Sequence, residues 1–242
     1  MAEEYDQITA FHYAAFRPLL HLPILKACLN EGKEYSLGLD VGCGTGQSSI
    51  ALTNFCKKVH GIEPGKEMLE KSIAHPKIAY SHYDGQNFDF PDNFFDITTF
   101  AGSLYYGKSQ HLLNEVVRIG KNASLVIIYD FELSLDSLHV KLNLEPLVVQ
   151  GSDYDHLVNF DGLNKKHINV EKEVQGKVSM EIAISDISHL LLSYKDNYNR
   201  LLQSLGENDL YETVSQKLRS ILKSESTFID AKTYATMYRV TK

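Results

Sequence analysis

The sequence predicts an α/β domain whose parallel sheet is covered by helices on both faces. Three observations carry that prediction. Strand-like and helix-like segments alternate through residues 35–131, a glycine-rich turn joins the first strand directly to a helix, and no internal repeat or low-complexity tract interrupts the pattern. A chain of 242 residues buries enough surface to hold a core without a metal or disulfide staple.

The elements follow in order. Residues 22–31 read as a helix, with Pro23 in the first turn, where its missing N–H costs nothing, and Gly32 placed to stop it. Residues 35–41 are a short buried strand, followed by the glycine turn and a helix over 47–53. Then come a strand at 58–63, a helix at 65–73 that ends before Pro76, and a strand at 77–83. A fourth strand spans 95–101, a helix 110–119 is closed by Gly120, and 124–131 is the most strand-like run in the chain. The second half is less regular: 133–150 looks helical, 151–166 a loop, 170–184 a strand, 187–205 and 209–222 helical, and 227–240 a closing strand. The division expected is a single domain over 1–242, with an N-terminal arm 1–34, a core 35–132 and a lid within 133–224.

Composition narrows the partners. Lys and Arg number 24 against 31 Asp and Glu, a formal net charge of −7, so nucleic acid and anionic membranes are poor partners for want of a concentrated basic surface. Cys28, Cys43 and Cys56 match neither a metal-ligand spacing nor a disulfide framework, and no metal site is expected. No signal-peptide pattern or membrane-length apolar run is present, and the expected location is the cytoplasm.

The richest segment is Asp40-Val41-Gly42-Cys43-Gly44-Thr45-Gly46. A strand that turns sharply into a helix beside a ligand needs glycine for its dihedrals and for close approach, and the helix start offers N–H groups to a polar ligand. These glycines fall at i, i+2 and i+4, whereas a dinucleotide fingerprint needs i, i+2 and i+5, a position held here by Gln47. Glu63, at the end of the second strand and followed by Pro64, sits where a carboxylate can accept both ribose hydroxyls. After the third strand, Asp84-Gly85-Gln86 can meet an adenine edge, or be an ordinary turn. Cys43 within the turn reads as a small filler.

Taken together, Leu-Asp-Val-Gly-Cys-Gly-Thr-Gly, Gly-Ile-Glu-Pro-Gly-Lys-Glu-Met-Leu, Asp-Gly-Gln-Asn-Phe and Phe-Pro-Asp-Asn-Phe-Phe-Asp-Ile-Thr-Thr resemble the class I S-adenosylmethionine-dependent methyltransferases over about residues 38–129. The resemblance implies a Rossmann-like, mostly parallel sheet of seven strands with the last antiparallel. It implies that Asp40 holds the methionine amino end, that Gly42, Cys43, Gly44 and Gly46 line the cofactor, and that Glu63 and Pro64 meet the ribose. Asp84, Gly85 and Gln86 would meet the adenine, with Phe100, Ala101 and Gly102 beneath the sulfonium and acceptor. A looser similarity of Tyr13-Ala14-Ala15-Phe16-Arg17-Pro18 to the trans-aconitate methyltransferase-like group implies an arm folding over the cofactor. The same group implies a helical insertion between the last two strands, covering the acceptor, where 187–222 falls.

The activity so implied is transfer of a methyl group from S-adenosylmethionine to a small molecule, leaving S-adenosylhomocysteine, by a monomer or homodimer. Such a displacement needs alignment and exclusion of water rather than a catalytic triad. The stretch after strand four lacks the Asn/Asp-Pro-Pro-Tyr run that holds an exocyclic or amide nitrogen, which speaks against DNA bases and glutamine as acceptors. Candidates for the acceptor pocket are Tyr13, Arg17, Tyr105, Tyr106, His111 and Tyr194, with Arg17 suited to a carboxylate and His111 to a general base. Two other readings share these residues. One is a non-catalytic module binding the same nucleotide; the other is a nucleotide-dependent oxidoreductase, which Gln47 and the early Glu63-Pro64 disfavour.

Overall fold

In the computed structural model, which describes residues 7–30, 32–144 and 154–242, helices and strands alternate as the sequence pattern requires. In chain order come α1 (Gln7–Ala15), α2 (His21–Cys28), β1 (Tyr35–Val41), α3 (Gln47–Leu52), β2 (Cys56–Glu63), α4 (Lys66–Glu70), β3 (Ile78–His82) and β4 (Phe95–Ala101). There follow α5 (Leu104–Gly107), α6 (Gln110–Ile119), β5 (Gly120–Leu133), α7 (Asp136–Lys141), β6 (Ile168–Ala183), α8 (Ile184–Leu192), α9 (Lys195–Leu205), α10 (Leu210–Leu222) and β7 (Ser226–Val240).

The strands form one sheet in the order β3-β2-β1-β4-β5-β7-β6. β1 runs parallel to β2 and β4, β2 to β3, and β4 to β5. Strand β7 runs the other way. Along β6 and β7, rising numbers meet falling ones: Thr241 donates its N–H to the His167 carbonyl, Lys177 pairs with Asp230, and Ser226 bonds Glu181. Against β5 the pattern repeats, with Arg239 on the Ala123 carbonyl and Tyr234 on Glu132. The expected seven strands with the last reversed are therefore present. The chain steps outward from β1 to β3 and then returns to β4, so the crevice at the switch point opens at the carboxyl ends of β1 and β4.

The chain folds as two compact units. One comprises described residues of 19–132, 153–176 and 232–242 and contains the glycine turn; the other comprises described residues of 1–18, 133–152 and 177–231. The first unit's core is the sheet's central strands against α6. Leu39, Val41, Phe95 and Phe100 are buried, with Leu113, Val116 and Ile119 from one face of α6 in the same cluster. Burial of each such side chain stabilises the fold by about 1.5–3 kcal/mol. Ser109 caps α6, its hydroxyl accepting the Leu112 N–H at 3.1 Å. In the second unit, Leu138, Ile184, Ile187, Leu190, Leu201, Val214 and Leu218 form a separate core.

Several expectations need correction. The helix expected at 187–205 is two helices, because the Ser193 hydroxyl turns back to the Leu190 carbonyl at 2.7 Å and Tyr194 is extended. The helix expected at 133–150 is only α7, since β5 runs on to Leu133 and Asn143 adopts φ 56° just past the helix; residues 145–150 lie outside the described residues. The helix expected at 65–73 stops at Glu70, and Ile73 instead donates its N–H to the Thr45 carbonyl of the glycine turn at 3.0 Å. Helices α1 and α5 are additions. Helices α8, α9 and α10 do fall between the last two strands, as expected.

Candidate cofactor and acceptor site

The glycine turn owes its shape to three left-handed residues, Gly42 (φ 69°), Gly44 (φ 54°) and Gly46 (φ 95°). They are not equivalent. A Cβ at Gly46 would lie 2.0 Å from the Tyr80 hydroxyl oxygen, and one at Gly42 would lie 2.5 Å from the Ser103 Cβ. Those two glycines are demanded by the protein's own packing. At Gly44 the nearest atom to an added Cβ is the Met68 Cε, at 3.5 Å, so this glycine alone borders open space.

The turn's amides are also largely committed. The N–H groups of Gly42 and Cys43 both go to the Ile62 carbonyl, at 2.8 and 3.1 Å, and that of Gly46 to the Cys43 carbonyl at 2.9 Å. Three N–H groups of the turn itself are thus spent within the protein. Cys43 is buried, and burial together with Asp40 and Glu63 raises its thiol well above the ordinary range, which fits a filler.

Asp40 is fully buried and already has three hydroxyl donors. Ser48 and Ser49, in the first turn of α3, donate to Oδ2 at 2.6 and 2.7 Å, and Thr99 of β4 donates to Oδ1 at 2.9 Å. Burial raises its pKa and the three donors oppose that rise. The carboxylate ties β1, α3 and β4 into one frame, so direct contact with a methionine amino group, as the resemblance implies, is not what this geometry provides.

Glu63 spans the turn from the next strand. Its Oε2 accepts the Gly44 N–H and its Oε1 the Gly65 N–H, each at 2.9 Å. Each oxygen keeps a second lone pair, so the carboxylate can hold the loop and still accept a diol. Pro64 beside it is exposed. Asp84 closes its own turn, with Oδ1 accepting the Gln86 and Asn87 N–H groups at 2.8 Å each. Those bonds pull its pKa below the usual carboxylate value. Gly85 (φ 84°) has nothing within 4 Å of an added Cβ, and Asp84, Gly85 and Gln86 are all exposed just after β3.

At the end of β4 the expected trio divides. Phe100 is 1% exposed and packs edge-on to Phe160, so it belongs to the core rather than to a binding surface. Ala101 and Gly102 are half-buried, and Gly102 (φ 68°) turns the chain under Tyr154.

The acceptor candidates fall into three places. Tyr105 and Tyr106 pack together on α5, with ring centroids 5.5 Å apart. His111 does not join them; its Nε2 lies 3.1 Å from Asn87 Oδ1, on the Asp84 loop. Tyr13, Arg17 and Tyr194 belong to the second unit, where the Arg17 guanidinium stacks 3.1 Å above the Tyr13 ring.

A cluster that sequence reasoning missed lies at the carboxyl end of β5. Asp130 Oδ2 is 2.8 Å from the Tyr154 hydroxyl and 2.9 Å from His156 Nδ1, while Asp130 Oδ1 accepts the Phe131 N–H at 2.8 Å. The hydrogen bond to Asp130 lifts the His156 pKa above its ordinary value, against the opposing effect of burial. Tyr105 packs on Tyr154 at 4.7 Å, Tyr154 on His156 at 4.8 Å, and Tyr234 of β7 stacks beside His156 at 6.4 Å. The strand-end rule applied to Tyr129-Asp130 would have flagged the carboxylate. Nothing local flags His156, which comes from a loop.

Residues 39–128 match the family model described as a methyltransferase domain. Residues 39–128 thus have the sequence pattern of a methyltransferase domain. The methyltransferase domain is similar to a Dictyostelium discoideum protein named as a methyltransferase, 28% identical over 125 residues, which are 48% of this chain and 44% of that one. It is also similar to the uncharacterized methyltransferase YcgJ of Bacillus subtilis, 26% identical over 99 residues, covering 38% and 39% of the two chains. The matches thus span less than half the length of these curated relatives. Among solved structures, one described as a type II methyltransferase from Anaeromyxobacter dehalogenans shares the fold at TM-score 0.62, with 16% identity over 94% of this chain and 98% of that one. YcgJ shares it at TM-score 0.51, with 14% identity over 92% and 98%. No helix among the described residues is long and apolar enough to cross a membrane.

Proposed function

We propose that the methyltransferase domain binds S-adenosylmethionine across the carboxyl ends of β1, β2 and β3 and passes its methyl group in line to a small-molecule acceptor. The observation that supports this most is Glu63, whose carboxylate bridges the Gly44 and Gly65 amides and retains lone pairs able to accept a diol. The remaining residues fit the same ligand. Gly44 leaves room for a close approach, Asp84 Oδ2 meets the Asn87 amide at 3.3 Å, and the exposed Gly85–Gln86 backbone suits an adenine edge. Asp40 acts one step back, holding α3 against β1 so that the turn keeps its shape.

The bound cofactor supplies an activated methyl group on a sulfonium. The protein's share is to orient it, exclude water and place the acceptor within reach. A thermal-shift comparison tests the reading, since a ligand that binds only the folded state raises apparent stability by RT ln(1 + [L]/Kd). S-adenosylhomocysteine at about 100 times its Kd is expected to add about 2.7 kcal/mol. NAD is expected to add nothing; stabilisation by NAD alone would overturn the assignment.

A further inference from the structure

We propose that His156, held by Asp130 at the end of β5, is the proton acceptor for an aromatic hydroxyl substrate; this rests on the methyl-donor reading given above. Three observations carry it, all within one unit of the fold.

The first is orientation. Asp130 takes the Nδ1 side of the imidazole at 2.9 Å, which leaves Nε2 without a protein partner among the described residues. A histidine anchored through one nitrogen by a carboxylate, with the other open, is the arrangement by which a base is fixed in tautomer and direction. Asp130 is itself fixed by the Phe131 N–H and shares the Tyr154 hydroxyl with the Gly102 carbonyl, each at 2.8 Å. The pair is braced from β5 itself and from the residue that follows β4.

The second is the space. His156 borders an open cleft of about 190 Å³ with a mixed lining, apolar at Leu104, Ile128 and Val158 and polar at Asp130, Glu173 and Gln175. An apolar cavity of about 150 Å³ admits benzene, so this one takes a single substituted ring. The Tyr234 ring is tilted 27° to that of His156, and Tyr154 stands edge-on to it, giving a planar guest aromatic faces to stack on.

The third is position. Gly102, the residue after β4, lines this cleft and also accepts from Tyr154, so the cleft begins where the strand ends of the switch point leave off.

In the step so assigned, Nε2 takes the proton of the hydroxyl. The oxygen lone pair forms the new bond to the methyl carbon, the carbon–sulfur bond breaks, and its electron pair returns to sulfur, giving the thioether product. Charged and titratable groups facing His156 are Asp130 and Glu132 on β5, Tyr154 and Asp155 on its own loop, Tyr234 on β7 and Glu173 on β6. The carboxylates among them favour an imidazolium once the proton has moved.

4-Nitrophenol is the probe, because its phenolate band reports the bound ionisation state without turnover. The protein is first saturated with S-adenosylhomocysteine, followed by calorimetry; failure at that stage refutes the methyl-donor reading and not this one. The probe is then titrated one pH unit below its solution midpoint, where about a tenth is phenolate in water. The expected result is that the bound probe is mostly phenolate, that His156→Gln returns it to about the solution fraction, and that Asp130→Asn gives an intermediate value. Thermal unfolding and S-adenosylhomocysteine affinity of the variants are expected to stay close to wild type, which separates a proton-acceptor role from collapse of the fold. Absence of probe binding, a bound probe at the solution fraction, or an unchanged phenolate fraction in His156→Gln would overturn the assignment.

Discussion

At residue scale, the glycine turn separates positions that shape the fold from the one that leaves room for a ligand. Gly46→Ala would push a Cβ to 2.0 Å from the Tyr80 hydroxyl at φ 95°, so steric overlap adds to backbone strain. A loss of at least about 3 kcal/mol is expected in urea denaturation. Gly44→Ala has φ 54° and a nearest contact of 3.5 Å; it is expected to cost about 1–2 kcal/mol of stability, as a left-handed non-glycine residue does, and to weaken S-adenosylhomocysteine binding. Equal destabilisation by the two substitutions would contradict the distinction. Asp40→Ala belongs to the first class. It strands the Ser48 and Ser49 hydroxyls in a buried place, while Thr99 keeps the Leu39 carbonyl, and a loss of about 2–5 kcal/mol is expected from the same denaturation measurement.

At element scale, the second unit carries a built-in sensitivity to acid. His12 of α1 and His189 of α8 meet Nδ1 to Nδ1 at 2.8 Å, with Tyr211 of α10 stacked on His189 at 4.4 Å. One ring must donate and the other accept, so the bond is lost when both rings are protonated. Burial, and then the neighbouring His189, bring the His12 pKa down from 6.5 to about 4. Burial lowers that of His189 as well. Between pH 6.5 and 4 the unfolded chain therefore binds protons that the folded chain refuses. Stability is full above pH 6.5 and falls as pH drops through this window, by an amount on the order of 1–3 kcal/mol. His12→Phe is expected to flatten that part of the unfolding free energy's pH profile. An unaltered slope would show that other groups set it.

At the scale of the whole molecule, legibility in the sequence followed how local each signal is. The runs Phe95–Ala101 and Ser124-Leu-Val-Ile-Ile-Tyr were readable as strands because β-branched and aromatic residues bury both faces of a parallel sheet. Helix α6 was readable because its apolar spacing and Gly120 agree. The break at Ser193 was not, because the apolar period continues across it and only the hydroxyl's bond to Leu190 reveals the stop.

The same contrast divides the site. Residues 40–46, 63–64 and 84–86 sit in short contiguous motifs at successive strand ends, so the donor half could be read in order along the chain. The acceptor half could not. Asp130, Tyr154, His156 and Tyr234 come from three separate stretches and meet only once β5 and β7 pair. His111 illustrates the opposite error. It has the chemistry of a base and a place at a helix start, yet the fold pairs it with Asn87.

If Glu63 makes this turn a site for the methyl donor, its removal must weaken binding of the donor's product, and calorimetry of S-adenosylhomocysteine against wild type and Glu63→Ala measures that loss. Hydrogen bonds to a charged group contribute about 1.5–3 kcal/mol, and each 1.4 kcal/mol is tenfold in affinity. One-site binding to the wild type, weakened by about 10- to 150-fold in the variant while its unfolding remains cooperative, is the predicted result. No binding to the wild type, or equal affinity in both proteins, would contradict the account.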